Sequence, residues 1–315
     1  MRLPHIVNVA VLLGSLIGLS PDAARAQQKV VSIGFQKYGN LILLKGRGGL
    51  ESKLAPLGYR VEWKEFPSGP PLLEALNAGA IDFGHTGETP PIFAQAAGIP
   101  FIYVACEPPA PKGEAILVPL DSPIKSVADL KGKRVALNKG SNVHYLLVRA
   151  LENAGVKYSD IETAFLAPAD ARAAFERGAV HAWVIWDPFQ AAAEAATGAR
   201  TLTDATGLAP NRQFYVASRK LADANPEVVN AIVAEIADID RWARGREKEV
   251  ASELSPGIGI PASLLEVALK RQTYGVRSLD AETVDDQQHI ADTFYALGLV
   301  PKKVVISAVV RRPRS

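Results

Sequence analysis

Gly-Ala-Ile-Asp-Phe-Gly-His-Thr-Gly-Glu-Thr-Pro-Pro-Ile-Phe (79–93) is the stretch whose reading decides the fold. Residues 80–84 read as a short buried strand. A glycine-bearing turn and a new helix follow. Thr86 or Thr89 can cap that helix, and Pro90 suits its first turn, where a missing N–H costs nothing. The helix start presents unsatisfied N–H groups beside Gly87, which has no side chain to block approach. Such a start favours an anion.

Upstream, 30–35 is a β-branched strand, followed by a polar turn at 36–40. Residues 41–54 have helical character, weakened by Gly46, Gly48 and Gly49. Residues 59–66 alternate Tyr59, Val61 and Trp63 against Arg60, Glu62 and Lys64, as a strand with one wet face does. Ser68 and Gly69 open a helix that ends at Gly79, and 101–105 is a further strand. This βαβαβαβ order predicts an open, mainly parallel sheet with helices on both faces.

Downstream, 107–113 carries three prolines and Gly113, the composition of a crossing between domains. The alternation then resumes: strands at 115–118, 133–137, 161–166 and 180–185, with helices at 126–130, 143–154, 168–178 and 187–197. The halves echo each other. Gly-Ala-Ile-Asp (79–82) corresponds to Gly-Ala-Val-His (178–181), and at the same offset Glu88 falls on Asp187. This pairing suggests two similar lobes facing each other. A second crossing (205–212) leads to a strand at 213–218. The remainder is helical, over 226–244, 247–254, 261–271 and 281–297. In the first of these, Val228, Ile232, Ile236, Ile239 and Trp242 recur at the spacing of an amphipathic packing helix.

Residues 1–26 are expected to be a signal peptide. Arg2 precedes an apolar run too short to span a bilayer, and Ala24-Arg25-Ala26 fits a cleavage signal. Export to the periplasm is expected, with a mature chain from Gln27. The 35 Lys and Arg and 33 Asp and Glu include Arg2, Arg25 and Asp22 of the leader, so the mature chain is nearly neutral. That balance does not point to a nucleic-acid partner. Cys106 is the single cysteine, which excludes an internal disulfide, and the five histidines lack metal-ligand spacing. No metal or cofactor is expected, and the chain is expected to be a monomer.

The sequence offers little to an enzyme. Ser141 lies in Lys-Gly-Ser-Asn rather than a nucleophile elbow, and neither a phosphate-binding loop nor a dinucleotide fingerprint is present. No residue is assigned a catalytic role. A binding protein fits better. The turns at 36–40, 86–89 and 140–142, with Trp186-Asp187-Pro188, fall at the carboxyl edge of the predicted sheets, the usual ligand edge of open α/β folds. They offer N–H groups, small polar side chains and an indole, which suits a small anion with an apolar body. Ser141 and Asn142 read equally as plain helix caps. Trp186 reads as cleft or core, and Phe214 as an apolar wall or core.

The motifs resemble the periplasmic aliphatic sulfonate-binding proteins of ABC importers, within the nitrate/sulfonate/taurine-binding group. The resemblance runs over about 29–309. It is carried by Gly-Phe-Gln-Lys (34–37), Glu-Phe-Pro-Ser-Gly-Pro (65–70), Thr-Gly-Glu-Thr-Pro-Pro-Ile-Phe-Ala-Gln-Ala-Ala-Gly (86–98), Asn-Lys-Gly-Ser-Asn-Val-His (138–144), Pro-Ala-Asp-Ala-Arg-Ala-Ala-Phe (168–175) and Trp-Val-Ile-Trp-Asp-Pro (183–188). It implies a type II periplasmic binding fold of two α/β lobes around a central cleft. The first lobe would comprise 27–108 and 207–310, the second 109–206, and 311–315 would be a disordered tail. The lobes would close on an organosulfonate by hinge motion and present it to a membrane permease driven by a cytoplasmic ATPase.

The ligand-facing positions implied are Gln36, Thr86, Gly87, Glu88, Ser141, Asn142, Trp186 and Asp187. Two departures from the family pattern stand near them: His85 replaces a smaller residue, and Glu88 replaces Asp. A sulfonate is fully ionised and accepts only, so donors such as backbone N–H, Gln, Ser and Thr suit it. Glu88 and Asp187 would repel it unless each turns toward a helix start or receives a ligand ammonium. Taurine, nitrate or another small anion is the alternative ligand. From a different class, a cytoplasmic thiamine-pyrimidine synthase-like enzyme on the same fold is the rival.

Overall fold

The chain builds two five-stranded sheets with one strand order. The computed structural model describes residues 28–311; the leader over 1–26, its cleavage after Ala26, and 312–315 lie outside the described residues. In the first sheet the order is β2-β1-β3-β10-β4, with β1 Lys29–Phe35, β2 Tyr59–Glu65, β3 Phe83–Gly87, β4 Phe101–Cys106 and β10 Gln213–Ser218. In the second it is β7-β6-β8-β5-β9, with β5 Glu114–Val118, β6 Arg134–Leu137, β7 Glu162–Phe165, β8 Ala182–Trp186 and β9 Arg200–Asp204.

β1 runs parallel to β2 and β3, and β6 parallel to β7 and β8. Each sheet also contains one reversed strand, β10 in the first and β5 in the second. Both are the strands that arrive from the other sheet. They enter from the cleft edge, where the parallel strands end, and so must run the opposite way.

Several expectations shift. The strand read at 80–84 lies at Phe83–Gly87. Gly79, at φ +69°, ends the preceding helix Gly69–Asn77. The Asp82 carboxylate then accepts from the Ser32 N–H at 2.9 Å, holding the turn before β3 begins. Thr86 is therefore a strand residue, and neither it nor Thr89 caps the helix Thr89–Ala96; its N-cap is Glu88, without a side-chain cap bond. The helical stretch at 41–54 breaks at Gly48, which adopts φ +69° between helices Asn40–Arg47 and Gly49–Leu54. β9 was not read from the sequence because Arg-Thr-Leu-Thr-Asp has no buried apolar face. Arg311, placed in the tail, donates to the Asn230 Oδ1 at 2.8 Å.

The helix Pro226–Ala243 buries Val228, Val229, Ile232, Ile236 and Ile239, as its spacing predicts. It forms one core with β1 and the helix Asn40–Arg47. A second core joins the second sheet to the other face of the first. The helix Ala281–Ala296 carries Phe294 into it, with ring centroids 5.2 Å from Phe93 and from His144 and 5.9 Å from Tyr145. Phe93 belongs to a helix that follows β3, whereas His144 and Tyr145 follow β6. A single ring thus ties the two sheets together. No helix of the described residues is long and apolar enough to cross a membrane.

Phe294 is fully buried, so Phe294→Ala is expected to cost about 3–5 kcal/mol. Urea denaturation of the purified protein checks this.

Candidate functional site

The two crossings between the sheets run side by side. Glu107 N–H donates to the Gln213 carbonyl at 2.8 Å, Ala110 N–H to Pro210 at 3.0 Å and Ala205 N–H to Pro111 at 3.1 Å. Asn211 sits at the centre in the left-handed region (φ 49°). Its Nδ2 donates to the Ala110 carbonyl at 2.9 Å. Three helix starts converge above this double strand: Gly69–Asn77, Thr89–Ala96 and Asn142–Asn153. Gly69, Gly87, Pro90, Ser141 and Asn142, with Gln36, Tyr38 and Trp186, line a cleft of about 340 Å³.

Asn142 makes the contact between lobes. Its Nδ2 donates to Asn211 Oδ1 at 2.8 Å, and its Oδ1 accepts from the Thr89 N–H at 3.3 Å. It lies so close to Gly87 that a Cβ there would meet Oδ1 at 1.9 Å. Only glycine allows this approach. Gln36 is oriented by a bond from its Nε2 to the His85 carbonyl at 3.0 Å. Ser141 is the N-cap of the helix Asn142–Asn153, and its Oγ donates to the Asn138 carbonyl at 2.7 Å. Trp186 packs edge-on to Phe189.

Four of the nine expected positions lie outside the cleft wall. Thr86 is fully buried, with an Oγ1 that has no partner among the described residues. Glu88 is buried and turned away: Oε1 and Oε2 accept from the backbone N–H groups of Asn211 and Arg212 at 3.3 and 3.0 Å. It clamps the second crossing rather than its own helix start. Asp187 accepts from Ala191 N–H at 3.1 Å and faces Arg271 at 3.4 Å. It follows the helix-start reading, for the helix Phe189–Thr197. Phe214 is core. β10 is an interior strand, and the Phe214 ring packs T-shaped on Tyr103 at 5.1 Å.

His85 is also behind the cleft, wholly buried, with neither ring nitrogen hydrogen-bonded. Burial pushes its pKa down to about 3, so the ring is neutral.

The sequence reading missed Tyr38, Gly69 and Pro90 in the wall. Ser-Gly-Pro (68–70) had the same helix-start signature as Thr-Pro-Pro (89–91) and was a usable signal. It also missed Glu114, which is fully buried with both carboxylate oxygens unpaired among the described residues. Glu114 stands opposite Trp186 in the antiparallel pairing of β5 and β8, and so on the same sheet face. Burial raises its pKa well above the carboxylate range, reinforced by Glu88. An acidic residue heading an otherwise apolar strand was its signal in the sequence.

Beneath the cleft, Glu107 and Asp240 both accept from the Gly275 N–H and from Asn40 Nδ2. Tyr215 donates to Glu107 at 2.8 Å. Among the described residues no group of three or more metal-ligating side chains could hold an ion.

A family model described as "NMT1-like family" matches residues 25–257. A protein of Escherichia coli K12 named as an aliphatic sulfonates-binding protein is 43% identical over 313 residues, 98% of this chain and 97% of that one. This chain belongs to the NMT1-like family. Two solved structures of such relatives share its fold. The periplasmic aliphatic sulphonate binding protein SsuA of E. coli superposes with a TM-score of 0.83 at 44% identity, covering 91% of this chain and 93% of that one. The alkanesulfonate-binding protein SsuA of Xanthomonas axonopodis, bound to MOPS, gives 0.86 at 40% identity, covering 91% and 99%. The two-lobed periplasmic binding fold expected from the motifs is thereby shown.

Burial raises the carboxyl pKa values of Asp187 to about 6, Glu88 to about 7 and Glu107 to about 8, and those of Glu114 and Asp240 move the same way. In the unfolded chain these groups ionise near their ordinary range, about 4. Folding above that pH must retain their protons, so these acids lower stability as pH rises from about 4 to about 8, while buried His85 and His144, with pKa values lowered to about 3 and about 4, oppose that trend below about pH 6.5. Exposed Asp129 and Asp280 shift downward, which places their window at lower pH. The melting temperature is therefore expected to be higher at pH 6.5 than at pH 8, where the histidines are neutral folded or unfolded, and Glu88→Gln to flatten the profile. Differential scanning calorimetry across that range checks both.

Proposed function

We propose that this chain is the substrate-binding protein of an ABC importer, which captures an aliphatic sulfonate in the periplasm and delivers it to a membrane permease driven by a cytoplasmic ATPase. The observation that carries the reading is the convergence of three helix starts from both lobes on one small cleft. The names of the E. coli and Xanthomonas relatives support it. So does MOPS in one of them, since that molecule is a propanesulfonate bearing a morpholine ring.

A sulfonate spreads one charge over three oxygens and has no proton to give. The N–H groups that the Gln36 and Asn142 amides have left over and the backbone N–H groups at the start of the helix Asn142–Asn153 supply donors, Ser141 a polar wall whose hydroxyl proton goes to the Asn138 carbonyl, and Trp186 an apolar wall. Each bond to the charged group contributes about 1.5–3 kcal/mol. Micromolar affinity is about 8 kcal/mol, so three or four such bonds with apolar contact suffice. No arginine is required. Glu88 and Asp187 do not oppose the anion, because their oxygens are directed at backbone N–H groups and Arg271.

On this reading 27–108 with 207–310 forms one lobe and 109–206 the other, hinged at the paired crossings. The leader is removed after Ala26, and the mature monomer begins at Gln27.

Calorimetry with propanesulfonate, taurine, nitrate, sulfate and methylphosphonate tests the reading. Propanesulfonate is expected to bind in the micromolar range, and Gly87→Ala to weaken it about tenfold or more by forcing Asn142 away. If only nitrate or the phosphonate binds, the sulfonate assignment fails.

A further inference from the structure

Glu114 heads β5, directly after the first crossing. Its register sets it opposite Trp186, on one sheet face, and Trp186 lines the cleft. The residue is fully buried, and neither carboxyl oxygen has a hydrogen-bond partner among the described residues. Buried polar side chains are as a rule paired, so Glu114 is an exception, and it stands against the cleft wall. The acids near it are engaged elsewhere. Glu88 accepts from two backbone N–H groups, Asp187 from the Ala191 N–H with Arg271 opposite, Glu107 from Tyr215, and Asp204 from the Thr206 N–H.

Tyr38 lines the cleft beside Trp186. Burial raises its pKa, and the next cause is the charge of Glu114, ahead of Glu107, Glu88 and Asp187. Of the acids around the phenol, Glu114 thus acts on it most strongly. The Tyr38 hydroxyl makes no hydrogen bond among the described residues, and its ring leans on His85 at 5.8 Å. It is free to turn.

An ionised Glu114 would be a buried charge with nothing to match it. Burial, reinforced by Glu88, instead lifts its pKa well above the carboxylate range, so the carboxyl keeps its proton at neutral pH. A protonated carboxyl has one O–H to give, and a phenol accepts at its oxygen while donating its own proton. A sulfonate only accepts. Carboxyl, phenol and anion therefore match in direction, each giving a proton to the next.

We propose that Glu114 is a positioning residue for the bound anion: its O–H donates to the Tyr38 oxygen, and this turns the Tyr38 hydroxyl proton toward the anion in the cleft. The proposal rests on the sulfonate reading of the cleft and goes beyond it in placing a proton-bearing acid behind the wall.

Titration calorimetry on the mature protein with propanesulfonate and taurine at pH 7 tests it. Tyr38→Phe removes the donor that meets the anion and is expected to weaken propanesulfonate about tenfold. Glu114→Met keeps the length of the side chain but has no proton to give, and is expected to lose affinity by up to about the same factor. Glu114→Gln still offers an N–H and is expected to stay within about twofold of the parent protein. The double variant Tyr38→Phe with Glu114→Met is expected to bind no more weakly than Tyr38→Phe, because both act through one bond. Melting curves check folding, and Glu114→Ala serves if the methionine variant is unfolded at the assay temperature. Unchanged binding by the variant without a donor overturns the proposal and leaves the sulfonate reading standing. So does a loss in Glu114→Gln as large as in Glu114→Met, or full additivity in the double variant. Tenfold tighter binding by Glu114→Gln also overturns it, because the acid is then ionised and repels the anion. Loss of taurine but not propanesulfonate in Glu114→Gln overturns it too, because the carboxylate then receives an ammonium. Binding of no sulfonate by the parent protein overturns both readings.

Discussion

The hydrogen bonds of one side chain, Asn142, hold the arrangement on which the site depends. Its amide reaches out of the second lobe to Asn211 on the crossing and to the Thr89 N–H at a helix start of the first. That reach demands glycine at 87, because any Cβ there would occupy the space of the amide. It also demands a left-handed Asn211, whose Oδ1 meets Asn142 while its Nδ2 binds the parallel crossing. The Glu88 carboxylate then secures the same crossing through two backbone N–H groups. The Asn142 amide, the helix start at Thr89 and both crossings are therefore parts of one hydrogen-bond network.

On the proposed reading the anion sits near several acids, so their charge has to be low or matched. Glu88, Glu107, Glu114 and Asp187 surround the floor, and burial raises the pKa of each. A raised pKa lessens the charge of Glu107 and Glu114, while Arg271 offsets that of Asp187 and two backbone N–H groups that of Glu88. Glu107 and Asp240 meet at one N–H, which is tolerable only if they share a proton. On that reading the cleft holds its ligand with neutral dipoles rather than with cations. The cost appears in stability, which the buried acids reduce as pH rises.

Local chemistry explains what was legible in the sequence. Proline and small polar residues at 89–91 and 141–142 mark helix starts wherever they occur, and the order of strands and helices follows from alternating periodicity. The two-lobed fold came from such signals, and of the nine expected site positions five line the cleft: Gln36, Gly87, Ser141, Asn142 and Trp186. What stayed hidden depends on partners distant in the chain. β3 begins at Phe83 because Asp82 is held by Ser32, fifty residues away. Glu88 turns toward residues 211 and 212, which no local rule brings near. Phe214 reads equally as wall or core until the neighbours of β10 are known. Tyr38 also borders a space lined in part by Leu254, Ile258, Leu265 and Leu269, from helices more than two hundred residues later.

Sharing donors between lobes also gives a physical account of release. On the proposed reading, the Gln36 amide contacts the anion from one lobe, and the Asn142 amide with its helix start from the other; the Thr89 N–H is already taken by Asn142 and the Ser141 proton by Asn138. Opening at the crossings withdraws one set at once. Two charge-assisted bonds lost together cost about 3–6 kcal/mol, or a hundredfold to ten-thousandfold in affinity. A fixed arginine in one lobe would keep much of the binding energy in the open form. Neutral donors divided across a hinge avoid that, because the high-affinity site exists only while Asn142 bridges to Asn211 and the Thr89 helix start. A permease that prises the lobes apart would thus need to break few contacts to empty the cleft.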